Sequence, residues 1–251
     1  MGRIFKISHE TDKWAPVDLY KASDMELVNY QLHSNEWYVR NARLILQERG
    51  ANKKVHNALR NILNTNPDVT RKLRALWALH VTGGLQEQEL LNLLNHESEY
   101  LRSWAIQLLA EDKALSATAL KRFAELAKTD TSALVRLYLT SATQRTAPEN
   151  RWEIIEALLQ RTEDKADHNL PLMLWYTFEP MVSTDMNRAI ALAQKAKVPN
   201  ILPFTIRRIG AMKTAESIKV LEGLQGRLES MPGSHEGHEV LGLVKKVLGG
   251  N

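Results

Sequence analysis

The sequence contains no cysteine, and this absence removes several classes of site at once. Without thiols there is no disulfide, no thiolate nucleophile, no thiolate zinc site and no covalent c-type haem attachment. Long apolar runs are also missing: no stretch approaches the roughly 18 residues that a membrane-spanning helix needs. We therefore predict no transmembrane segment. The first residues, Met1–Trp14, also lack the apolar core of a signal peptide.

An excess of charge of one sign is almost absent. The chain has 33 Lys and Arg residues against 29 Asp and Glu residues, a formal net charge of +4. So small a surplus permits an acidic partner without requiring one. The 44% of hydrophobic residues and 25% of charged residues are typical of a protein with a packed core.

Glycine and proline are sparse, 12 and 8 residues, and fall between blocks with helical periodicity. We predict fourteen helices, at 24–33, 37–49, 52–65, 68–81, 86–95, 98–111, 116–128, 132–145, 148–161, 169–182, 185–197, 200–211, 214–230 and 236–248. Three helices show the i, i+3, i+4, i+7 stripe expected of a buried face. These stripes are Leu101, Trp104, Ala105 and Leu108; Leu120, Phe123, Ala124 and Ala127; and Leu134, Leu137, Tyr138 and Ser141.

An aliphatic residue followed by arginine recurs in the second helix of successive pairs. The arginines are Arg40, Arg74, Arg102 and Arg136, at intervals of 34, 28 and 34 residues, which suit two short helices with their turns. The pattern predicts an all-α protein, an α-solenoid of about six to seven antiparallel HEAT-like, armadillo-like helix pairs. We assign residues 23–231 to this solenoid and residues 232–251 to a C-terminal capping helix.

Helix starts carry their own signals. Ser23 with Glu26 and Thr146 with Glu149 have the spacing of capping boxes, in which two side chains satisfy free N–H groups of a first turn.

The N-terminus differs from the helical blocks, because Arg3–Ile7 alternates polar and apolar residues like one strand. A single strand forms no sheet. We therefore expect residues 1–22 to be an extended segment, the tail of a preceding β domain, and the chain to be a piece of a longer protein.

Five stretches together resemble one known family. They are Gly2–Ile7, Glu36–Arg40, Arg74–His80, Leu101–Ile106 and His168–Tyr176. The chain is similar, from residue 2 to about 211, to the HEAT-repeat region of bacterial membrane-bound dehydrogenase-type proteins. The most specific part is Leu-Pro-Leu-Met-Leu-Trp-Tyr, residues 170–176. In that family a β-propeller precedes the repeats and a haem-binding c-type cytochrome domain follows them.

The resemblance implies a role for the chain and a context for it. The chain would be a non-catalytic scaffold linking the propeller and cytochrome domains of an exported, periplasmic or extracytoplasmic oxidoreductase. Haem c and a quinone cofactor would belong to those other domains. This chain has no Cys-x-x-Cys-His and we predict no cofactor in it. Its expected partners are other domains of the same polypeptide or a separate protein.

Three groups of residues are candidates for an interaction surface. Arg40, Arg74, Arg102 and Arg136 either form a basic ladder for an anionic partner or fix the stacking by binding carboxylates and helix-end carbonyls of adjacent repeats. Asp167, His168 and Asn169 form either a recognition site or a helix cap provided by Asn169. Trp175 and Tyr176 mark either an interface or packing between repeats.

Motifs for catalysis and for metal binding are scarce. Serine nucleophile elbows, phosphate-binding glycine loops and dinucleotide fingerprints are absent, so we predict no catalytic residue. His235 and His238 are chemically able to hold a divalent transition metal. A third ligand is not defined, and we therefore predict no metal site while keeping the two histidines as candidates.

Two other functions stay open. A HEAT-like-repeat protein that binds nucleic acid, such as an alkylpurine DNA glycosylase, is compatible with the length and with the basic pairs Lys53-Lys54, Arg71-Lys72 and Arg207-Arg208. A generic interaction module would hold a peptide or a partner helix in its groove. We do not expect nucleic acid to be the partner, because the positive surplus is small.

Overall fold

A computed structural model describes residues 5, 9, 11, 17–230 and 235–249, the side chains of 235 and 236 excepted. Within these residues every regular element is a helix. The predicted strand at Arg3–Ile7 and most of the predicted extended segment 1–22 lie outside the described residues.

Fourteen α-helices occupy this part of the chain, one in each block where the periodicity predicted a helix. Residues 1–85 contain α1 (Asp24–Asn29), α2 (Glu36–Arg49), α3 (Lys53–Thr65) and α4 (Val69–Val81). Residues 86–251 contain α5 (Glu87–Leu93), α6 (Glu99–Leu109), α7 (Ala117–Thr129), α8 (Ala133–Thr143), α9 (Trp152–Leu159), α10 (Leu170–Val182), α11 (Met186–Lys195), α12 (Ile201–Met212), α13 (Ala215–Ser230) and α14 (His235–Leu248). Short 3₁₀ turns lie at Leu19–Lys21, Tyr30–Leu32, Pro148–Asn150 and Thr162–Asp164.

The helices pack as consecutive pairs in two compact units, residues 1–85 and residues 86–251. In the first unit α1 contacts α3 and α2 contacts α4. In the second unit the later helix of each pair, called here a second helix, contacts the next one, so that α6, α8, α10, α12 and α14 follow one another. The prediction of an all-α solenoid with six to seven pairs is confirmed by these seven pairs.

One predicted helix start is confirmed and another is wrong. The Ser23 hydroxyl accepts from the Glu26 amide while the Glu26 carboxylate accepts from the Ser23 amide, which completes a capping box at α1. Thr146 and Glu149 form no such box. The Arg151 guanidinium instead donates to the Thr146 carbonyl, and α9 begins only at residue 152.

The predicted buried face of α8 is also wrong. Leu134, Leu137, Tyr138 and Ser141 are only half-buried, whereas the fully buried side chains of this helix include Val135, Arg136, Leu139, Thr140 and Thr143. The threonine hydroxyls donate to the carbonyls four residues earlier, at 2.8 Å from Thr140 and 2.6 Å from Thr143. Polar side chains satisfied within the helix are therefore buried, and the more apolar stripe faces outward.

Candidate interaction surface on the second helices

Arginine-carboxylate contacts hold the pairs of residues 86–251 in register. The Arg136 guanidinium donates twice to the Asp164 carboxylate, at 2.6 and 2.5 Å, with both side chains at most 3% exposed. A third bond goes to the Asp130 carbonyl at 3.1 Å. The hydrogen bond to Asp164 raises the pKa of Arg136, so this group stays charged. A buried bidentate pair of this kind fixes one hairpin loop against the next.

Arg102 repeats the arrangement one pair earlier. It donates to the Asp130 carboxylate at 2.8 and 3.0 Å and to the His96 carbonyl at 2.8 Å. We call each of these two sets of arginine contacts an arginine joint. In both joints the carbonyl belongs to the residue six positions before the arginine, and the carboxylate belongs to the residue 28 positions after it. Each arginine thus connects its own loop to the loop of the following pair.

The two recurring arginines of residues 1–85 behave differently. Arg74 contacts the Glu36 carboxylate and donates to the His33 carbonyl at 2.8 Å, both in the preceding pair. Arg40 is 74% exposed and its ion-pair contact is Glu36 on its own helix, at 3.8 Å. Of the two alternatives predicted for these residues, the contacts of Arg74, Arg102 and Arg136 are those of stacking. These three guanidinium groups are not presented to an anionic partner, and only Arg40 remains available.

The outward faces of α6, α8 and α10 form a shallow groove of about 330 Å³. It is lined by the half-buried side chains of Trp104, Gln107, Leu137, Tyr138, Ser141 and Met173. The rings of Trp104 and Tyr138 lie 6.5 Å apart between centroids. This first groove therefore presents aromatic and aliphatic carbon with a few neutral polar groups, the composition found at protein interfaces.

A second groove of about 390 Å³ lies between α10 and α12. Its lining residues are Leu172, Trp175, Tyr176, Phe204, Arg207 and Arg208. Leu172 and Tyr176, 47% and 54% exposed, form the ridge of α10 between the two grooves. We call the two grooves and this ridge the second-helix surface. Large apolar side chains left this exposed and adjacent to one another often mark a binding surface.

The second groove has one charged end. Arg208 pairs with Glu179 across α12 and α10, at 3.0 Å between nitrogen and oxygen. Arg207 is exposed and makes no hydrogen bond or ion pair with any described residue. The predicted interface residues Trp175 and Tyr176 both line this groove, and the Trp175 ring also packs on Phe204 at 5.2 Å.

Asp167, His168 and Asn169 are exposed in the turn before α10. Asn169 occupies the position before the first residue of this helix, but the expectation that its side chain caps the helix is wrong. The Asp167 carboxylate accepts from the amides of Asn169 and Leu170, both at 2.8 Å, whereas the Asn169 side chain makes no capping bond. These bonds, the one to Leu170 first, lower the pKa of Asp167. Asp167 therefore holds the start of the helix that separates the two grooves.

The remaining predicted sites are spread over the chain. Among the described side chains no three histidine, aspartate or glutamate residues converge as a metal-binding group. The side chain of His235 lies outside the described residues, so the candidate pair with His238 stays a prediction. Of the basic pairs, Lys53-Lys54 begins α3, Arg71-Lys72 lies on α4 and Arg207-Arg208 on α12. None of the helices described reaches the combination of length and apolar character that a bilayer-spanning segment requires.

Sequence reasoning missed most of the first groove. Trp104, Leu137 and Tyr138 were expected in the core because they continue an apolar helical stripe. The available signal was a second stripe on α8, in which Val135 and Leu139 lie on one face with Thr140 and Thr143, whose hydroxyls bond to carbonyls of the same helix. A helix that carries two such stripes on different faces has one face for the core and a second apolar face for another partner.

Among solved structures, the chain is similar to a designed armadillo repeat protein, with 16% sequence identity, 89% of this chain and 98% of that chain covered, and a TM-score of 0.33. No family model and no curated protein matches the chain.

Proposed function

We propose that this chain is a helical-repeat scaffold that binds a protein segment on its second-helix surface. The observation that carries the proposal is the pair of grooves on either side of the Leu172–Tyr176 ridge. Each groove is within the size range that buried side chains of a partner fill, and the side chains that line them are mainly aromatic or aliphatic. The arginine joints support a scaffold role, because they fix the pairs that contain α6, α8 and α10, the helices that carry the first groove.

The chemistry of the lining favours binding over catalysis. In the first groove the polar lining groups are the amide of Gln107 and the hydroxyls of Ser141 and Tyr138. Among the residues described, the lining of this groove holds no carboxylate, imidazole, amine or thiol to act as a general base. We therefore propose no catalytic role for the chain itself. Turnover by the purified chain with a sugar, a quinone cofactor and an artificial electron acceptor would contradict this.

The family resemblance suggests what the partners are. The stretch that carries most of the resemblance, residues 170–176, forms the first half of α10, the wall shared by both grooves. We propose that the chain connects a β-propeller and a c-type cytochrome domain in an extracytoplasmic dehydrogenase. Haem c and a quinone cofactor would then be held by those domains and not by this chain.

Binding of such domains supplied in trans tests this function. We expect a propeller or a cytochrome domain from the resembling family to bind the chain in calorimetry, and Tyr176→Ala to weaken binding about thirtyfold, the effect of losing roughly 2 kcal/mol at an aromatic hot spot. Tyr20→Ala is the matched control, since Tyr20 is 63% exposed in residues 1–85. Equal affinities of the two variants, or no binding by the wild type, would overturn the proposal.

A further inference from the structure

The charge along the second-helix surface is uneven. In the first groove the polar lining side chains, Gln107 and Ser141 among them, are uncharged. In the second groove two guanidinium groups lie at the α12 end, and Glu179 balances one of them, Arg208. Arg207 is left as an exposed positive charge beside an apolar groove.

Positive charge also exceeds negative charge among the described side chains around Arg207. Arg207 also lines a neighbouring cleft of about 460 Å³ whose charged lining residues include Lys197 and Glu239. Among the described side chains on both sides of Arg207, three cations, Lys197, Arg207 and Arg208, accompany two carboxylates, Glu179 and Glu239. A partner group that meets Arg207 is therefore favoured if it is a carboxylate.

The helix spacing limits the form of the partner. Five of the six residues that line the first groove lie on α6 and α8, whereas the second groove lies between α10 and α12. Because packed neighbouring helices lie about 8–10 Å apart, the centres of the two grooves are separated by roughly 13–17 Å. A peptide in the polyproline II conformation advances about 3.1 Å per residue, so two apolar side chains about five positions apart can reach the two grooves together.

We propose that the second-helix surface binds an acidic, extended peptide segment. One apolar side chain enters the first groove, a second, about five residues away, enters the groove of Trp175 and Phe204, and a carboxylate beyond it pairs with Arg207. This inference rests on the proposed function and adds the chemistry and the direction of the partner.

A random ten-residue peptide library, displayed on phage and selected on the full chain, provides the test. We expect enriched peptides to carry two apolar residues about five positions apart, with Asp or Glu next to one of them. Selection on Arg207→Glu should favour Lys or Arg at that position. Selection on Arg40→Glu, which reverses an exposed arginine of residues 1–85, should return the wild-type pattern.

One enriched acidic peptide is then made and its affinity measured by fluorescence anisotropy. We expect Arg207→Ala to lower its affinity about fivefold, the effect of roughly 1 kcal/mol for an exposed ion pair, and Arg40→Ala to leave it unchanged. Replacing either apolar residue of the peptide by serine should reduce binding further, because each fills one groove.

Two kinds of failure are distinguishable. Enriched peptides that are neutral or basic, or an affinity that ignores Arg207, would overturn this inference while leaving a peptide-binding scaffold. If no peptide is enriched and Tyr176→Ala does not affect the binding of protein domains, the proposed function fails as well. If a single-stranded oligonucleotide displaces the peptide, with affinity falling steeply as salt rises, the surface binds nucleic acid and the acidic-peptide inference is wrong.

Discussion

The two units use the same recurring arginine in opposite directions. In residues 86–251, Arg102 and Arg136 are each the fourth residue of a second helix and reach forward to an aspartate 28 positions later. In residues 1–85, Arg74 is the sixth residue of α4 and reaches back to Glu36. In all three helices the residue before the arginine, Leu73, Leu101 or Val135, is buried, so the arginine has the same orientation relative to the core. The aliphatic-arginine pattern alone therefore does not decide which neighbour the arginine binds.

The same difference changes how deeply the contacts are buried. The Asp164 carboxylate is 3% exposed and that of Asp130 4% exposed, whereas that of Glu36 is 51% exposed. Water therefore replaces a lost partner more easily in residues 1–85 than in residues 86–251. We therefore expect a substitution at one of these arginine contacts to lower the free energy of unfolding most where the carboxylate of the contact is most buried.

The largest loss is expected for Asp164→Ala. It leaves the Arg136 guanidinium buried without its carboxylate, which costs about 3–5 kcal/mol in free energy of unfolding. Urea unfolding followed by circular dichroism measures the loss. Arg136→Leu combined with Asp164→Leu is the control, because it removes both charges, and it should be more stable than Asp164→Ala. A double variant as unstable as Asp164→Ala would show that the loss is one of packing.

A smaller loss is expected for Arg102→Ala. This side chain is 14% exposed, so the Asp130 carboxylate that it leaves can gain some hydration. We expect a destabilisation of about 2 kcal/mol, typical of lost hydrogen bonds to a charged group. The same unfolding measurement compares it with Asp164→Ala, and a loss larger than that of Asp164→Ala would contradict the ranking by burial.

Arg74→Ala should cost about 1.5 kcal/mol, since it removes bonds to the Gln31 and His33 carbonyls together with the contact to half-exposed Glu36. Amide hydrogen exchange locates the effect. Faster exchange is expected in α2 and α4, where the contacts lie. Faster exchange confined to α8 and α10 would contradict the assignment of this arginine to the preceding pair.

Helix caps allow a comparison of the two units in acid. Asp68 at α4 and Asp167 at α10 both have a lowered pKa, the first chiefly through hydrogen bonds from Thr70 and the second through those from Leu170 and Asn169. Each carboxylate therefore adds stability above its unfolded pKa of about 3.9, and this stability is lost as the pH falls through the lower folded pKa. Asp167→Ala should cost about 1 kcal/mol at pH 7 and nothing once both states are protonated.

Unfolding curves of the wild type and of Asp167→Ala between pH 7 and pH 2 test the sign. The difference between the two proteins should shrink towards low pH. A difference that grows in acid would mean that the protonated carboxyl, and not the carboxylate, holds the start of α10.

The smallest effect is expected for Arg40→Ala. Its guanidinium is 74% exposed and lies 3.8 Å from Glu36, so we expect a change within about 0.5 kcal/mol. A loss comparable to that of Arg74→Ala, in the same thermal or urea unfolding experiment, would mean that Arg40 takes part in a joint that the structure does not contain.

The sequence predicted the helices well because their periodicity is local. Each of the fourteen expected blocks contains a helix, and the Ser23 capping box needs only residues three positions apart. The arginines were recognised as a recurring set, with stacking and anion binding left open. Their uneven intervals of 34, 28 and 34 residues come from the uneven starts of the second helices, residues 36, 69, 99 and 133, together with the later position of Arg74 in α4.

The second-helix surface was predicted only in part. Trp175 and Tyr176 were candidates, because aromatic residues with a polar group mark interfaces. The first groove was not, because Leu137 and Tyr138 form a stripe indistinguishable from a core stripe until the partners of Thr140 and Thr143 are known. Which of two apolar helix faces is buried depends on contacts between pairs, and these are not local in sequence.

The central claim is that the second-helix surface of residues 86–251 receives a protein segment. Amide hydrogen exchange of the full chain, with and without a saturating acidic peptide from the selection, tests it most directly. Exchange should slow in α6, α8, α10 and α12 and remain unchanged in α7, α9 and in α2 to α4. Slower exchange in α2 and α4, or no change along α10, would contradict the claim.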